Sequence, residues 1–321
     1  MWNPFTNKYF SKIEKLDNIK NDSFIKKIKL IRNEILNLPD INYTVKKTII
    51  DSDILKGLKS SVWVSPDLTY DELNYEVVIT WTNNNIYLKT TKEKFIKFKD
   101  RIPVFLKMIT YIQGSNPTDI NIYLVLSNLK KFIEVDKIIS PKHINSGYTH
   151  LINKIIFIWR EEEFEKVTFH ELIHLLDKDH RHEDVNVPVK IDGPTSYYEA
   201  ITDFKAIIYN MIYISILTKK SIRSLFNYEL SFMKNQSQLI YNKLKLKYKQ
   251  RSPAYSYFIL KYKIFRYFIS DYFDDKLFND IFFHSKNYKK LIIIIKDSLN
   301  KNMADNYIDF NSARMTLFEL K

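Results

Sequence analysis

The sequence predicts an α+β protein, with strands gathered in the first half and helices filling the second. Three observations carry this expectation. Short runs rich in Val, Ile, Tyr and Thr recur up to residue 159, apolar positions repeat at helical spacing from 196 onward, and no internal repeat or long linker interrupts the chain. With 321 residues and 45% apolar content, the chain can bury a core without covalent staples.

Residues 8–38 carry Ile13, Leu16, Ile19, Ile28, Ile31, Ile35 and Leu38 in a helical pattern that ends at Pro39. β-rich stretches follow at 41–50, 62–64, 75–82 and 86–90, the last two joined by AsnAsnAsn as a hairpin turn. Residues 93–113 read as helix, with Pro103 as a kink or boundary. The runs 120–126 and 151–159 read as strands, separated by a loop with Pro141 and AsnSerGly at 145–147. Residues 161–177 form a helix whose acidic first turn suits the positive end of its dipole. The charged stretch 178–195, with Pro188 and GlyPro at 193–194, is a loop; helices are expected at 196–218, 221–248, 253–273 and 287–301. The expected organisation is a lead-in helix and strand over 1–60, an α/β part with one further helix over 61–218, and a helical subdomain over 219–321.

The absence of cysteine excludes disulfides, thiolate metal sites and cysteine nucleophiles, so any metal must be held by His, Asp or Glu. The net charge of +13 comes with abundant Lys, Asn and Ile, the bias of an AT-rich genome, and with lysines at helical spacing that suit solvated faces. Nucleic acid is therefore not the expected primary partner. Residues 1–16 lack the apolar core and cleavage site of a secretory signal. The greasiest stretch, 206–217, is interrupted by Asn210 and falls short of the roughly 20 residues a bilayer needs. The expectation is a soluble intracellular protein without a membrane span.

Chemistry concentrates in HisGluLeuIleHis at 170–174. At 3.6 residues per turn His170 and His174 stack on one helix face and can aim two imidazoles at one ion. Glu171, about 100° further round, can reach a water beside that ion without competing as a ligand. Val167, Phe169, Leu172, Ile173, Leu175 and Leu176 cover most of the remaining circumference, so the helix is expected to be buried. Two ordinary hydrogen-bonded core histidines would give the same spacing. A second segment, SerTyrTyrGluAlaIleThrAspPheLysAla at 196–206, places Glu199 and Asp203 on one face of an otherwise apolar helix. A carboxylate there can complete a two-His-one-Glu site, and Asp203 can accept the other ring N–H of a ligating histidine. A solvated acidic edge is the plainer alternative.

HisGluLeuIleHis followed by GluAlaIleThrAsp resembles the gluzincin metallopeptidases, the thermolysin-like branch of the zincins. The likeness covers about 145–210. It implies a zincin-like fold, a small mixed sheet with the active-site helix beside it, one catalytic Zn2+ held by His170, His174 and Glu199, Asp203 supporting a ligand, and Glu171 as general base. It also implies that 151–159 is the edge strand that pairs with an extended peptide or protein substrate. Gluzincins add a Tyr or His that stabilises the oxyanion; candidates here are Tyr197, Tyr198, His143, His150 and His284. His180 stands where a metzincin third histidine would, but Asp177 replaces the glycine that family needs and Met211 sits mid-helix, so Glu199 is the favoured ligand. LysLys at 130–131, AsnSerGly at 145–147 and TrpArgGluGluGluPheGluLysVal at 159–167 are similar to uncharacterised zincin-like proteins of large nucleocytoplasmic DNA viruses, which would locate the chain in host cytoplasm or virion. The expected function is a zinc-dependent peptidase. The alternatives are a catalytically silent zincin-fold structural or virion-associated protein and, less favoured, a basic nucleic-acid-binding protein.

Overall fold

A computed structural model describes residues 2–13, 16–17, 19–115, 118–133, 138–176, 192–246, 248–271, 273–299, 307–308 and 312–320. Pro4–Lys12 (α1) and Asp22–Leu36 (α2) replace the single helix expected over 8–38. Asn21 makes the break: its side chain accepts the Phe24 N–H at 2.9 Å and starts a new helix. Thr44–Lys47 (β1), Ser52–Ser60 (α3), Tyr75–Trp81 (β2), Asn84–Thr90 (β3), Lys92–Lys99 (α4) and Ile102–Gln113 (α5) follow. Pro103 is indeed a boundary, in the first turn of α5 where its missing N–H has no partner to lose. The β2–β3 turn falls at Thr82 and Asn83, with Thr82 at φ 44, so two of the three asparagines lie in strand.

Asn121–Ser127 (β4), Ile138–Ile139 (β5), Pro141–Ile144 (α6), Gly147–His150 (β6), Ile155–Arg160 (β7) and Phe164–Leu175 (α7) complete the first half. The second half is helical: Tyr197–Thr218 (α8), Ile222–Lys245 (α9), Lys261–Phe268 (α10), Asp275–Phe282 (α11) and Tyr288–Leu299 (α12), with a two-residue strand Lys249–Gln250 (β8). Tyr255–Leu260 is a π-helical turn that runs directly into α10.

The sheet is mixed and six-stranded, in the order β1-β2-β3-β4-β7-β6. β3, β4 and β7 run parallel, while β6 returns antiparallel to β7, pairing Gly147 with Ile158 and His150 with Ile155. The edge strand is therefore β6, not 151–159 as expected: 151–154 form the turn between β6 and β7, and β7 lies inside the sheet. A turn after a short strand reads like strand in composition, because Leu151 and Ile152 are apolar although exposed.

Alternation along β4 and β7 explains why both read as buried strands. Ile122, Leu124, Ile156 and Ile158 face the main core with the helices, while Tyr123, Val125, Phe157 and Trp159 face a second, smaller core. That second face is covered by α3 and the segment after it, through Leu55, Leu58, Val64 and Leu68. Residues 62–64 are turn rather than strand: Val62 is exposed and Val64 plugs the sheet.

α8 is long and apolar enough to cross a bilayer, but 89% of its apolar window is buried, as the helix around which α5, α7, α9 and α10 pack. Residues 312–320 return as a buried strap along the base of α7, and Trp2 and Leu320 form an isolated antiparallel bridge beside it. The acidic run before α7 serves this strap rather than the helix dipole. Glu163, the N-cap residue at φ 62, accepts the Met315 and Thr316 N–H groups at 2.8 and 2.6 Å and the Lys131 ammonium at 2.6 Å. Glu162 accepts from Arg314 at 3.1 Å.

Candidate metal centre

α7 is buried on nearly every side, and its two histidines converge on Glu199 of α8. His170 Nε2 and His174 Nε2 lie 2.9 Å apart, and Glu199 Oε2 stands 3.3 and 3.4 Å from them. Donor atoms bound at about 2.0–2.1 Å to a tetrahedral ion are separated by about 3.3–3.4 Å; the two edges to Glu199 match this, and the edge between the imidazoles, at 2.9 Å, is shorter. The three residues can hold a metal ion. Burial pushes the His170 imidazolium down to about 3, although Glu199 beside it favours the charged form. Burial would raise the Glu199 carboxyl, but His174 and His170 hold it well below the usual carboxylate range. Metal ligation requires neutral imidazole and ionised carboxylate, and the directions for His170 and Glu199 agree with that.

Two local devices aim these donors. His170 turns its other nitrogen, Nδ1, to Asp203 Oδ1 at 3.1 Å, which leaves the Nε2 lone pair for the centre. Ser196 caps α8 by accepting the Glu199 N–H at 3.3 Å. In a SerXaaXaaGlu capping box the glutamate would fold back onto the cap residue's own N–H. Here Ser256 Oγ takes that N–H at 2.8 Å, and Glu199 is free to face the histidines.

Glu171 lies beside the triangle against β6. Thr149 Oγ1 is 2.8 Å from Glu171 Oε2 and 2.9 Å from its main-chain oxygen, sharing its proton between them. Gly147 makes this approach possible. A Cβ there would stand 2.7 Å from Ile158 Cδ1, 2.9 Å from Val167 Cγ1 and 3.0 Å from Glu171 Cγ. Gly147 therefore serves close packing inside a strand, and it is not among the positive-φ glycines of a turn.

The triangle and Glu171 open into a cleft of about 570 Å³, bounded by the edge strand β6 on one side and the first turn of α8 on the other. Among the described strands β6 pairs only with β7, and its Gly147, Tyr148 and Thr149 line this cleft. Comparison with protein-family models, with curated proteins and with solved structures finds no match to this chain. The site therefore rests on its own geometry.

The structure brings together His170, Glu171, His174, Glu199 and Asp203. His180 and Asp177 lie outside the described residues. Of the candidate oxyanion partners, Tyr197 and Tyr198 line the cleft, whereas His143, His150 and His284 do not. A tyrosine the sequence reading passed over does better. Tyr257, from the π-helical turn, donates its hydroxyl to Glu199 Oε2 at 3.0 Å, with its ring 6.0 Å from that of His170. Burial, with Glu199 and Glu171 nearby, raises its phenol well above the ordinary value, so it keeps its proton. Nothing periodic marks Tyr257 among 22 tyrosines, because the widened turn shifts the helical register that a sequence reader would follow.

Proposed function

We propose that this chain is a zinc-dependent peptidase with a zincin-like fold. The observation that supports it most is the triangle of His170 Nε2, His174 Nε2 and Glu199 Oε2, with edges of 2.9, 3.3 and 3.4 Å, lining a cleft with Glu171 alongside. Two imidazoles, one carboxylate and an open side suit catalytic zinc, which would supply a Lewis acid and lower the pKa of water there toward about 7.

The chain's own residues account for the other requirements of peptide hydrolysis. The outer edge of β6, unpaired among the described strands, can hold an extended peptide by main-chain hydrogen bonds across the cleft. Glu171, fixed by Thr149, accepts the proton of the attacking water and returns it to the leaving amine. The Tyr257 hydroxyl, protonated and bonded to Glu199 Oε2 at 3.0 Å, would turn from that carboxylate to donate to the oxygen that gains charge as the carbonyl becomes tetrahedral. Asp203 holds the His170 tautomer throughout.

A broad peptide library incubated with the purified chain tests this reading. Cleavage is expected, lost on chelation and regained with zinc, and absent from the Glu171→Gln variant although that variant keeps its metal. Cleavage by Glu171→Gln at the parental rate would refute the assignment of the base.

A further inference from the structure

Asp203 is fully buried and meets three partners at once. Its Oδ1 faces His170 Nδ1 and also contacts Lys166 Nζ, while its Oδ2 accepts from Lys261 Nζ at 2.6 Å. The side chains of Lys166 and Lys261 are 2% and 1% exposed. One ammonium is enough to keep a buried carboxylate ionised, and desolvating a second one is costly. Burial drives Lys166 well below its ordinary value, with Lys261 and Lys131 adding like-charge repulsion. So expensive an arrangement fits a requirement for orientation as well as charge.

The geometry shows what is oriented. A carboxylate gripped at one oxygen can turn about its Cβ–Cγ bond, and the turn would take Oδ1 away from His170. Gripped at both oxygens, by a lysine from α7 and one from α10, it has one orientation left. The lysines are themselves tied to the strap: Lys261 Nζ donates to the Met315 carbonyl at 3.0 Å and Lys166 Nζ lies 3.6 Å from Met315 Sδ. Met315 is anchored in turn by its N–H to Glu163 at the start of α7.

We infer that Lys166 and Lys261 are positioning residues of the metal centre: by clamping both oxygens of Asp203 they fix the acceptor of the His170 Nδ1 proton and thereby aim His170 Nε2. The inference rests on the reading that His170, His174 and Glu199 hold a metal, and is independent of the peptide chemistry. Lys131 provides the internal comparison. It is equally buried and belongs to the same network, but it pairs with Glu163 and does not touch Asp203.

The test measures zinc dissociation constants of the full chain by chelator competition, with visible spectra of the cobalt-loaded forms. Lys261→Met is expected to weaken zinc about 10–100-fold, the range for loss of a ligand's hydrogen-bonded support. Asp203→Asn should do the same, and the double variant should be no weaker than the worse single one. Lys131→Met should lower the melting temperature but leave zinc affinity within about threefold and the cobalt spectrum unchanged, whereas Lys261→Met alters that spectrum. Unchanged zinc affinity in Lys261→Met, equal weakening by Lys131→Met, or multiplied effects in the double variant would each overturn the inference. Should Lys261→Met not fold, Asp203→Asn with and without Lys261→Met must bind zinc equally, and a further loss overturns it. A parent chain that takes up no zinc removes the metal reading itself, an outcome distinct from a parent that binds zinc and a Lys261→Met variant that binds it as well.

Discussion

Substituting Gly147 by alanine adds a single methyl between the edge strand and the helix that carries Glu171. The new carbon would meet Ile158 Cδ1 at 2.7 Å, Val167 Cγ1 at 2.9 Å and Glu171 Cγ at 3.0 Å. Carbon atoms rest at about 3.5–4.0 Å, so each neighbour must give way by roughly 0.5–1 Å. The tip of Ile158 can rotate aside. Val167 and Glu171 are rooted in a helix packed against the sheet, α5 and α8, so β6 must move off or the Glu171 side chain must swing. Overpacking of this kind costs about 1–3 kcal/mol. At about 1.5 °C per kcal/mol for 321 residues, the melting temperature should fall by about 1.5–4.5 °C. A misplacement of about 1 Å at a reacting group lowers turnover on the order of 100-fold. Zinc content should not change, because none of the three atoms nearest the methyl belongs to His170, His174 or Glu199. Turnover of a cleaved library peptide, thermal melting and metal analysis on one preparation read all three. Parental turnover and melting would show that β6 and Glu171 are not in close contact. Loss of zinc together with activity would show that Glu171 and the ligands are not held independently.

Other changes probe separate parts of the site and its support. Tyr257→Phe should lower kcat about 100- to 1000-fold with KM nearly constant and zinc retained, as for loss of an oxyanion donor; an unchanged kcat removes Tyr257 from the chemistry. Arg314→Met strips Glu162 and Glu319 of a cation that lies 3.1 and 2.6 Å away. It should destabilise the fold by about 3–5 kcal/mol in denaturant titrations, and a loss below about 1 kcal/mol would mean the strap is not anchored there. The Glu163 carboxyl would be raised by burial, but Lys131, Arg314 and Lys166 bring it down from 4.5 to about 2. Its contribution, about 3 kcal/mol, is complete above pH 4.5 and lost as pH falls toward 2. Urea midpoints at pH 6 and pH 3 should therefore converge in Glu163→Gln relative to the parent; an equal acid loss in both contradicts the pairing.

The metal-site residues and the fold class were legible in the sequence for the same reason: both rest on local spacing. His170 and His174 share a face because they are four apart, and Glu199 and Asp203 share another for the same reason. β4 and β7 announce themselves because both of their faces are buried. Tertiary partnerships left no such mark. The break at Asn21 depends on a capping hydrogen bond, β6 is too short to show alternation, and α3 is covered by its packing on the sheet rather than by its own pattern. Glu162 and Glu163 read as an acidic first turn suited to the helix dipole because the strap they bind lies some 150 residues away. Tyr257 and Ser256 lie in the widened turn 255–260, whose register a pattern of 3.6 residues per turn does not follow. Lys166 and Lys261, two among many lysines, acquire meaning from Asp203 alone.

Counting metal in the purified chain bears most directly on the idea that two helices present His170, His174 and Glu199 to one ion. Elemental analysis should give about one zinc per chain, falling to near zero in Glu199→Ala and staying at one in His180→Ala. A parent chain free of zinc after growth and purification with zinc supplied, or a Glu199→Ala variant that keeps its zinc while His180→Ala loses it, would contradict that arrangement.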